Sequence, residues 1–260
     1  MAQLNDLYQF ARYYDIVFRR DVGREIEFLT SLFQRHRARP PASVLDLGCG
    51  PGYHARAFAR RGIPAIGLDW APDMIRFARE ETGGRSAGVE WRVGDMRGFE
   101  LAGPIDLAFS LFDSIDGLST IDDFVEHMKA VAANMTPEGL YVIGQSHQRD
   151  TGIIGYGPFH YEAARDGCRV VLDWATDVRL DTLTQTADVE IVLQVDDNGE
   201  QREIRYRTKE SFATPPFLTA VARLSGALEP FEWYGDYRPD QPYDDTPDSR
   251  YCISVYRKLR

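Results

Sequence analysis

Apolar positions along this chain recur with two periods, and their order predicts the fold. Between residues 22 and 36, Ile26, Leu29, Leu32 and Phe33 stand at helical spacing, and Arg39-Pro40-Pro41 ends that amphipathic helix. Val44-Leu45-Asp46-Leu47 is then a buried strand. Gly48-Cys49-Gly50-Pro51-Gly52 turns it into a helix carrying Ala55, Ala57, Phe58 and Ala59, with Gly62 as C-terminal cap. Pro64–Asp69 reads as a second strand. Pro72 opens a helix whose stripe is Met74, Ile75, Phe77 and Ala78 and whose end is Gly83-Gly84. Val89–Met96 alternates apolar and polar as a third strand, and Ile105–Ser110 is a fourth. Phe124, Val125, Met128 and Val131 build the helix of 121–135, and Leu140–Gly144 is the fifth strand. Strand and helix in strict alternation predict a doubly wound α/β sheet.

From Arg149 the period changes. Cys168–Ala175, Leu183–Val195 and Glu200–Lys209 read as three strands in succession, with Asp196-Asp197-Asn198-Gly199 as a hairpin turn. Three consecutive strands do not fit the alternating order, so they form an inserted antiparallel β-sheet after the fifth strand. A glycine-rich loop, 152–161, precedes it as a candidate lid. A helix at 215–224 and strands at 228–234 and 251–258 complete the main sheet. The expected organisation is 1–148 as core with an N-terminal helical cap, 149–212 as insert, and 213–260 as completion of the core sheet.

Composition narrows the partners. The 260 residues carry 30 basic and 40 acidic side chains, a formal net charge of −10, which disfavours nucleic acid. Arg35–Arg39 is a local basic stretch, read as a solvated helix end. Cys49, Cys168 and Cys252 form no C-x-x-C pair, which argues against a disulfide framework or structural zinc and for a reducing compartment. Met1–Phe10 lacks an apolar signal core and no run reaches the ~20 apolar residues of a membrane helix. The expectation is a cytoplasmic protein, monomer or homodimer, without membrane or metal. The acidic loop 235–249 reads as solvated.

The glycine turn carries the chemistry. A dinucleotide fingerprint, G-x-G-x-x-G, would need glycine at Tyr53 or Ala55, and neither is one. Asp46, two residues before Gly48, would repel a pyrophosphate and suits a cation. Asp46-x-Gly48-x-Gly50-x-Gly52 resembles the first motif of the class I S-adenosylmethionine-dependent methyltransferases. The resemblance implies a Rossmann-like seven-stranded sheet with the last strand antiparallel, S-adenosyl-L-methionine as cofactor and S-adenosyl-L-homocysteine as product.

Further residues follow from it. Ala11-Arg12-Tyr13-Tyr14-Asp15 is similar to a segment of the small-molecule members, in which the tyrosine before the aspartate lies near the cofactor's methionine end. Tyr14 has that role or packs a helix on the domain edge. Asp69, at the end of the second strand and 21 residues after Gly48, would accept the ribose hydroxyls, or cap a helix; Trp70 would pack on ribose or adenine, or stand on the surface. Gly94-Asp95-Met96 resembles the family's adenine turn, with Asp95 receiving the N6 amino group and Met96 beside the ring; otherwise Asp95 makes an Asx turn. Leu111, Phe112 and Asp113 follow the fourth strand, where the methyl group would sit. Asp113 would bind an amine or cap the turn. The Asn/Asp-Pro-Pro-Tyr/Phe clamp is absent, and Leu111–Ile115 looks like the branch with glycine and amino-sugar N-methyltransferases. His147 is the candidate base, or a structural histidine. Tyr156 and His160, with Tyr161, are candidates from the lid. The expected function is methyl transfer to N, O or C of a small molecule by in-line displacement. The alternatives are cofactor binding without methyl transfer, and a protein or RNA substrate. A nicotinamide oxidoreductase is disfavoured by the glycine spacing and Asp46.

Overall fold

The computed structural model describes residues 6–83, 88–147 and 159–259. Tyr156, Gly84 and most of the expected lid loop lie outside them. Through residue 147 the described residues follow the periods of the sequence. A 3-10 turn at Asp6–Gln9 leads to α1 (Ala11–Phe18) and α2 (Gly23–Arg37). Then come β1 (Val44–Leu47), α3 (Tyr53–Arg60), β2 (Ala65–Asp69), α4 (Pro72–Glu81), β3 (Val89–Val93) and β4 (Ile105–Ser110). A second 3-10 turn, Ser114–Gly117, precedes α5 (Ile121–Ala133) and β5 (Met135–Ser146). Thr120 and Asp123 cap α5 reciprocally, which fixes where that helix starts.

The main sheet has seven strands. Its order is β3-β2-β1-β4-β5-β11-β10, where β10 is Leu228–Tyr234 and β11 is Tyr251–Lys258. Strands β1 to β5 pair in parallel, and β11 runs antiparallel to both neighbours. It is the Rossmann-like arrangement expected, with the last strand antiparallel. β1 and β4 are buried along their whole length, because helices cover both faces. One apolar layer packs α2 and α3 on the sheet through Ile26, Leu29, Phe33 and Phe58. The other packs α5 and α6 (Pro215–Ser225) through Phe124, Met128, Leu218 and Val221. The strand order reverses between β1 and β4, which is where sheets of this kind open a crevice at their carboxyl ends.

The second sheet has four strands, not three. β6 (Phe159–Arg165), β7 (Cys168–Asp181), β8 (Thr186–Asp197) and β9 (Glu200–Ser211) form an antiparallel meander. β6 was hidden because Phe159–Arg165 has polar residues on both faces and follows a glycine-rich stretch. The Asn198-Gly199 turn has φ of 54° and 89°, as the hairpin demands. One face of this sheet packs on α1, with Val170, Leu172, Ile191 and Leu193 against Tyr13 and Ile16.

A buried carboxylate locks α1 in place. Asp15 accepts hydrogen bonds from the Tyr53 hydroxyl (2.8 Å) and from Arg19 (3.0 Å), and pairs with Arg165 of β6. One side chain thus joins the N-terminal helix to α3 and to the second sheet. Among the described residues no helix is long and apolar enough to cross a membrane.

Candidate active site

The carboxyl ends of all five parallel strands face one cavity of about 800 Å3. Gly48 and Gly50 follow β1, Asp69 and Trp70 end β2, Asp95 and Met96 follow β3, Phe112 and Asp113 follow β4, and Ser146 ends β5. Tyr8, Tyr14 and Phe18 enter from the N-terminal helices. Phe159, Tyr161, Trp174 and Glu210 enter from the second sheet. The cavity therefore lies between the two sheets, under α1.

The glycine turn is built in two halves. Gly50 has φ +50°, and nothing lies within 4 Å of where a Cβ would stand, so its backbone is bare toward the cavity it lines. Gly52 has φ +80°, and a Cβ there would meet the Trp91 ring at 2.1 Å. Gly52 lies off the cavity lining: it lets α3 start close against β3. Asp46 also lies off it. It is buried beneath the turn and accepts the Ala55 N–H (3.2 Å) at the start of α3; burial raises its carboxyl to about 7. Strand pleating explains this placement, since Asp46 precedes the turn and its side chain goes into the protein.

Asp69 does face the cavity. Its Oδ2 accepts the Gly50 N–H (2.7 Å) and its Oδ1 the Ala71 N–H (2.9 Å). Each oxygen keeps further acceptor capacity. Burial raises its carboxyl to about 6, against the two N–H groups that lower it. Asp95 lines the cavity at a more open place. Arg97 grips both its oxygens (2.5–3.0 Å), reaches on to Asp123 (2.6 Å), and holds the Asp95 carboxyl below its usual range. Behind Met96, the buried His127 donates from Nδ1 to the Met96 carbonyl (2.9 Å) and accepts the Tyr141 hydroxyl at Nε2 (2.6 Å). Burial keeps it neutral, at about 4.

The opposite wall is acidic. Asp113 accepts the Ser146 N–H (2.6 Å) and hydroxyl (2.8 Å). Asp116 accepts Gln145 Nε2 (2.9 Å), and Glu210 accepts the Trp174 indole N–H (2.9 Å). All three line the cavity and interact with one another. Burial raises all three carboxyls, that of Glu210 to about 8; their mutual repulsion adds to it for Asp116 and Glu210. The Ser146, Gln145 and Trp174 donors are neutral, and Arg20 acts on Asp113 as an opposing charge. Phe112 and Asp113 both have positive φ (56° and 59°), a cost of about 1–3 kcal/mol each that the packing around them must hold. Tyr14, Phe18, Phe112 and Tyr161 form a chain of ring contacts over the wall, with centroids 4.6–5.7 Å apart.

Three further expectations are corrected. His147 lies off the cavity. Its Nε2 bonds to the Asp244 carbonyl (2.8 Å) and its ring stacks on Tyr243 at 4.8 Å, so it anchors the 235–249 loop. Leu111 is buried in the sheet core beside Gly144. His160 sits on the outward side of β6, exposed and paired with Asp173 (2.6 Å), while its neighbour Tyr161 lines the cavity. Tyr8, Asp116, Trp174 and Glu210 also line the cavity and are not among the expected site residues. Asp116, three residues after Asp113, was the readable one. Trp174 and Glu210 carry no local signal, because a bulge after Trp174, with Ala175 at φ 62°, and the meander bring them in.

Residues 44–139 match the methyltransferase-domain family. Over 138 residues the chain is 31% identical to dTDP-3-amino-3,6-dideoxy-alpha-D-glucopyranose N,N-dimethyltransferase of Streptomyces fradiae, an alignment covering 52% of each chain. The chain spans about half the length of the curated relatives it matches. Among solved structures it is similar to the CcbJ methyltransferase of Streptomyces caelestis, with 25% identity over 92% of this chain and 90% of that one, at a TM-score of 0.70. The sugar N-methyltransferase KedS8 of Streptoalloteichus shares the fold, with a TM-score of 0.75 over 100% of this chain and 94% of that one at 18% identity.

Proposed function

We propose that this chain, which through residues 44–139 belongs to the methyltransferase-domain family, transfers the methyl group of S-adenosylmethionine to an amine nitrogen of a small molecule. The observation that carries the reading is the cavity's two walls, a bare glycine turn beside Asp69 facing three buried carboxylates, Asp113, Asp116 and Glu210. The residues fit the cofactor. Asp69 has acceptor capacity on both oxygens for two vicinal hydroxyls, and Gly50 leaves room for backbone contact. The electron-rich aromatic faces and carboxylates suit positively charged groups. When bound, S-adenosylmethionine supplies a methyl group activated by its sulfonium.

On this reading Tyr14, Gly48, Gly50, Asp69, Trp70, Asp95 and Met96 hold the cofactor. Phe112, Asp113 and Tyr161 hold the acceptor. Positioning supplies most of the rate, because the methyl group is already reactive. An ammonium has no lone pair, so its proton must leave before attack. We take Glu210, held at Oε1 by Trp174, as the group that receives it: burial favours its neutral form, and the positive charge of a bound ammonium would draw it back to the carboxylate that accepts the proton. The amine reading is supported by that wall and by the amino-sugar acceptor in the name of the Streptomyces fradiae relative. The insert, 149–212, would set the choice of acceptor, with 1–148 and 213–260 carrying the cofactor half. Cys49, Cys168 and Cys252 are all free and buried, which supports work in the reducing cytoplasm.

Calorimetric titration with S-adenosylmethionine and S-adenosylhomocysteine tests the cofactor, and mass spectrometry of amino sugars beside their hydroxyl counterparts tests the acceptor. Binding of both nucleosides with methylation confined to the amines is expected. Binding of neither, or methylation of the hydroxyl compounds alone, would overturn the reading.

A further inference from the structure

A second pocket, of about 370 Å3, lies between the link from α1 to α2 and the outward side of α3. It shares no lining residue with the large cavity. Five arginines line it, Arg19, Arg20, Arg56, Arg60 and Arg61, and Asp21 is the acid among them. Three have carboxylate partners: Arg19 pairs with Asp15 and Glu81, Arg20 with Glu25 (3.3 Å), and Arg61 with Glu27 at 3.7 Å. Among the described residues, Arg56 and Arg60 have none.

Arg56 is the more telling of the two. It is half-buried, its guanidinium lies 5.8 Å from the Tyr53 ring, and its hydrogen bond goes to the Pro51 carbonyl. Burial pulls its pKa down, which means that the charged form is under-solvated where it stands. Glu81 and Asp15 act on Arg56 without pairing with it and the neighbouring Arg19 opposes them, so five guanidinium groups gather around one hollow in a chain whose net charge is −10. Such a cluster is offset by an anion held inside it. Planar guanidinium forks match phosphate oxygens two at a time, which is why arginine more than lysine marks such sites. The volume is about twelve times the ~30 Å3 share of one water, room for more than a single small ion.

We propose that this pocket binds a diphosphate group, at a site separate from the methyl-transfer cavity and independent of the function assigned there. Arg56 and Arg60 supply the uncommitted charge, and Arg19 and Arg20 close the far side. The two sites are neighbours, since the Arg20 guanidinium lies 4.1 Å from the ring of Phe112, which lines the large cavity. The test must therefore separate them.

Sodium pyrophosphate is titrated calorimetrically into the full chain at neutral pH. We expect one saturable site with a dissociation constant below about 1 mM at low salt, weakening as salt screens the charges. Arg56→Gln with Arg60→Gln should weaken it by about tenfold or more, while leaving S-adenosylhomocysteine binding within about twofold. Arg60→Gln alone, at an exposed position, should weaken it by about threefold, so that a misfolded double variant does not end the test. Uridine diphosphate is the second arm. Affinity about tenfold above pyrophosphate assigns the site to a nucleotide or other esterified diphosphate, and equal affinity assigns it to the free anion. Three results would each overturn the proposal: no saturation, an unchanged constant in the folded double variant, or displacement of pyrophosphate by saturating S-adenosylhomocysteine.

Discussion

Replacing Asp69 by alanine should weaken cofactor binding while costing the fold at most about 3 kcal/mol. Two opposing costs produce this outcome. The substitution leaves the Gly50 and Ala71 N–H groups without their acceptor. A buried unsatisfied donor costs about 1–3 kcal/mol, so the pair loses about 2–6. The same substitution removes a buried anion. Raising a carboxyl from 3.8 to about 6 makes its ionised form about 3 kcal/mol less favourable at pH 7 than an exposed one. The terms offset, leaving a change in unfolding free energy between a gain of about 1 and a loss of about 3 kcal/mol. Binding has no such offset. Two ribose hydroxyls lose a charged acceptor, and the net loss is about 1–3 kcal/mol, a rise of roughly 5- to 150-fold in dissociation constant. Calorimetric titration with S-adenosylhomocysteine gives the affinity, and urea unfolding of the same sample gives the stability. An unchanged affinity in a folded variant would refute the assignment of Asp69 to the ribose.

The same carboxyl predicts a pH dependence. Its folded pKa lies above the unfolded value, so as pH rises from about 4 to about 6 the unfolded state holds fewer protons and Asp69 costs stability over that window. Hydroxyl donors prefer the ionised form, so S-adenosylhomocysteine affinity should fall as pH drops below about 6 and level off above it; an affinity flat from pH 5 to 8 would contradict this. Gly52→Ala should destabilise the protein by about 3 kcal/mol or more, since the new methyl would stand 2.1 Å from Trp91 at a positive φ, and a melting temperature within a degree of wild type would count against that packing. His147→Ala should leave turnover within about threefold and lower stability by about 1–2 kcal/mol through loss of the Asp244 bond and the Tyr243 stacking; a hundredfold loss of turnover with the fold intact would return it to the catalytic machinery.

Local physics determined what was readable in the sequence. Helical and strand periods follow from which faces must be buried, so the order of elements through residue 147 and the α/β class were legible. Three alternating glycines after an apolar run announce a turn with positive φ, and all three have it. Asp69, Trp70, Asp95, Met96, Phe112 and Asp113 were legible as cavity residues because each follows the end of a parallel strand, and all five strands end on one side. Direction within a turn was not legible. Asp46 lies within β1 and His147 just follows β5, yet one goes under the turn and the other away from the cavity, a difference of pleat and of what packs behind. The second sheet lay further from reach. β6 is short and follows a glycine-rich stretch that reads as loop, and the bulge at Ala175 has no sequence mark. Trp174 and Glu210 lie 36 residues apart, and both lie more than 100 residues from the glycine turn. Only closure of the second sheet over α1 sets Glu210 beside Asp113 and Asp116. The acidic wall, on which the proposed amine acceptor rests, is therefore a property of the tertiary structure, because the repulsion among three carboxylates depends on distances no local pattern encodes.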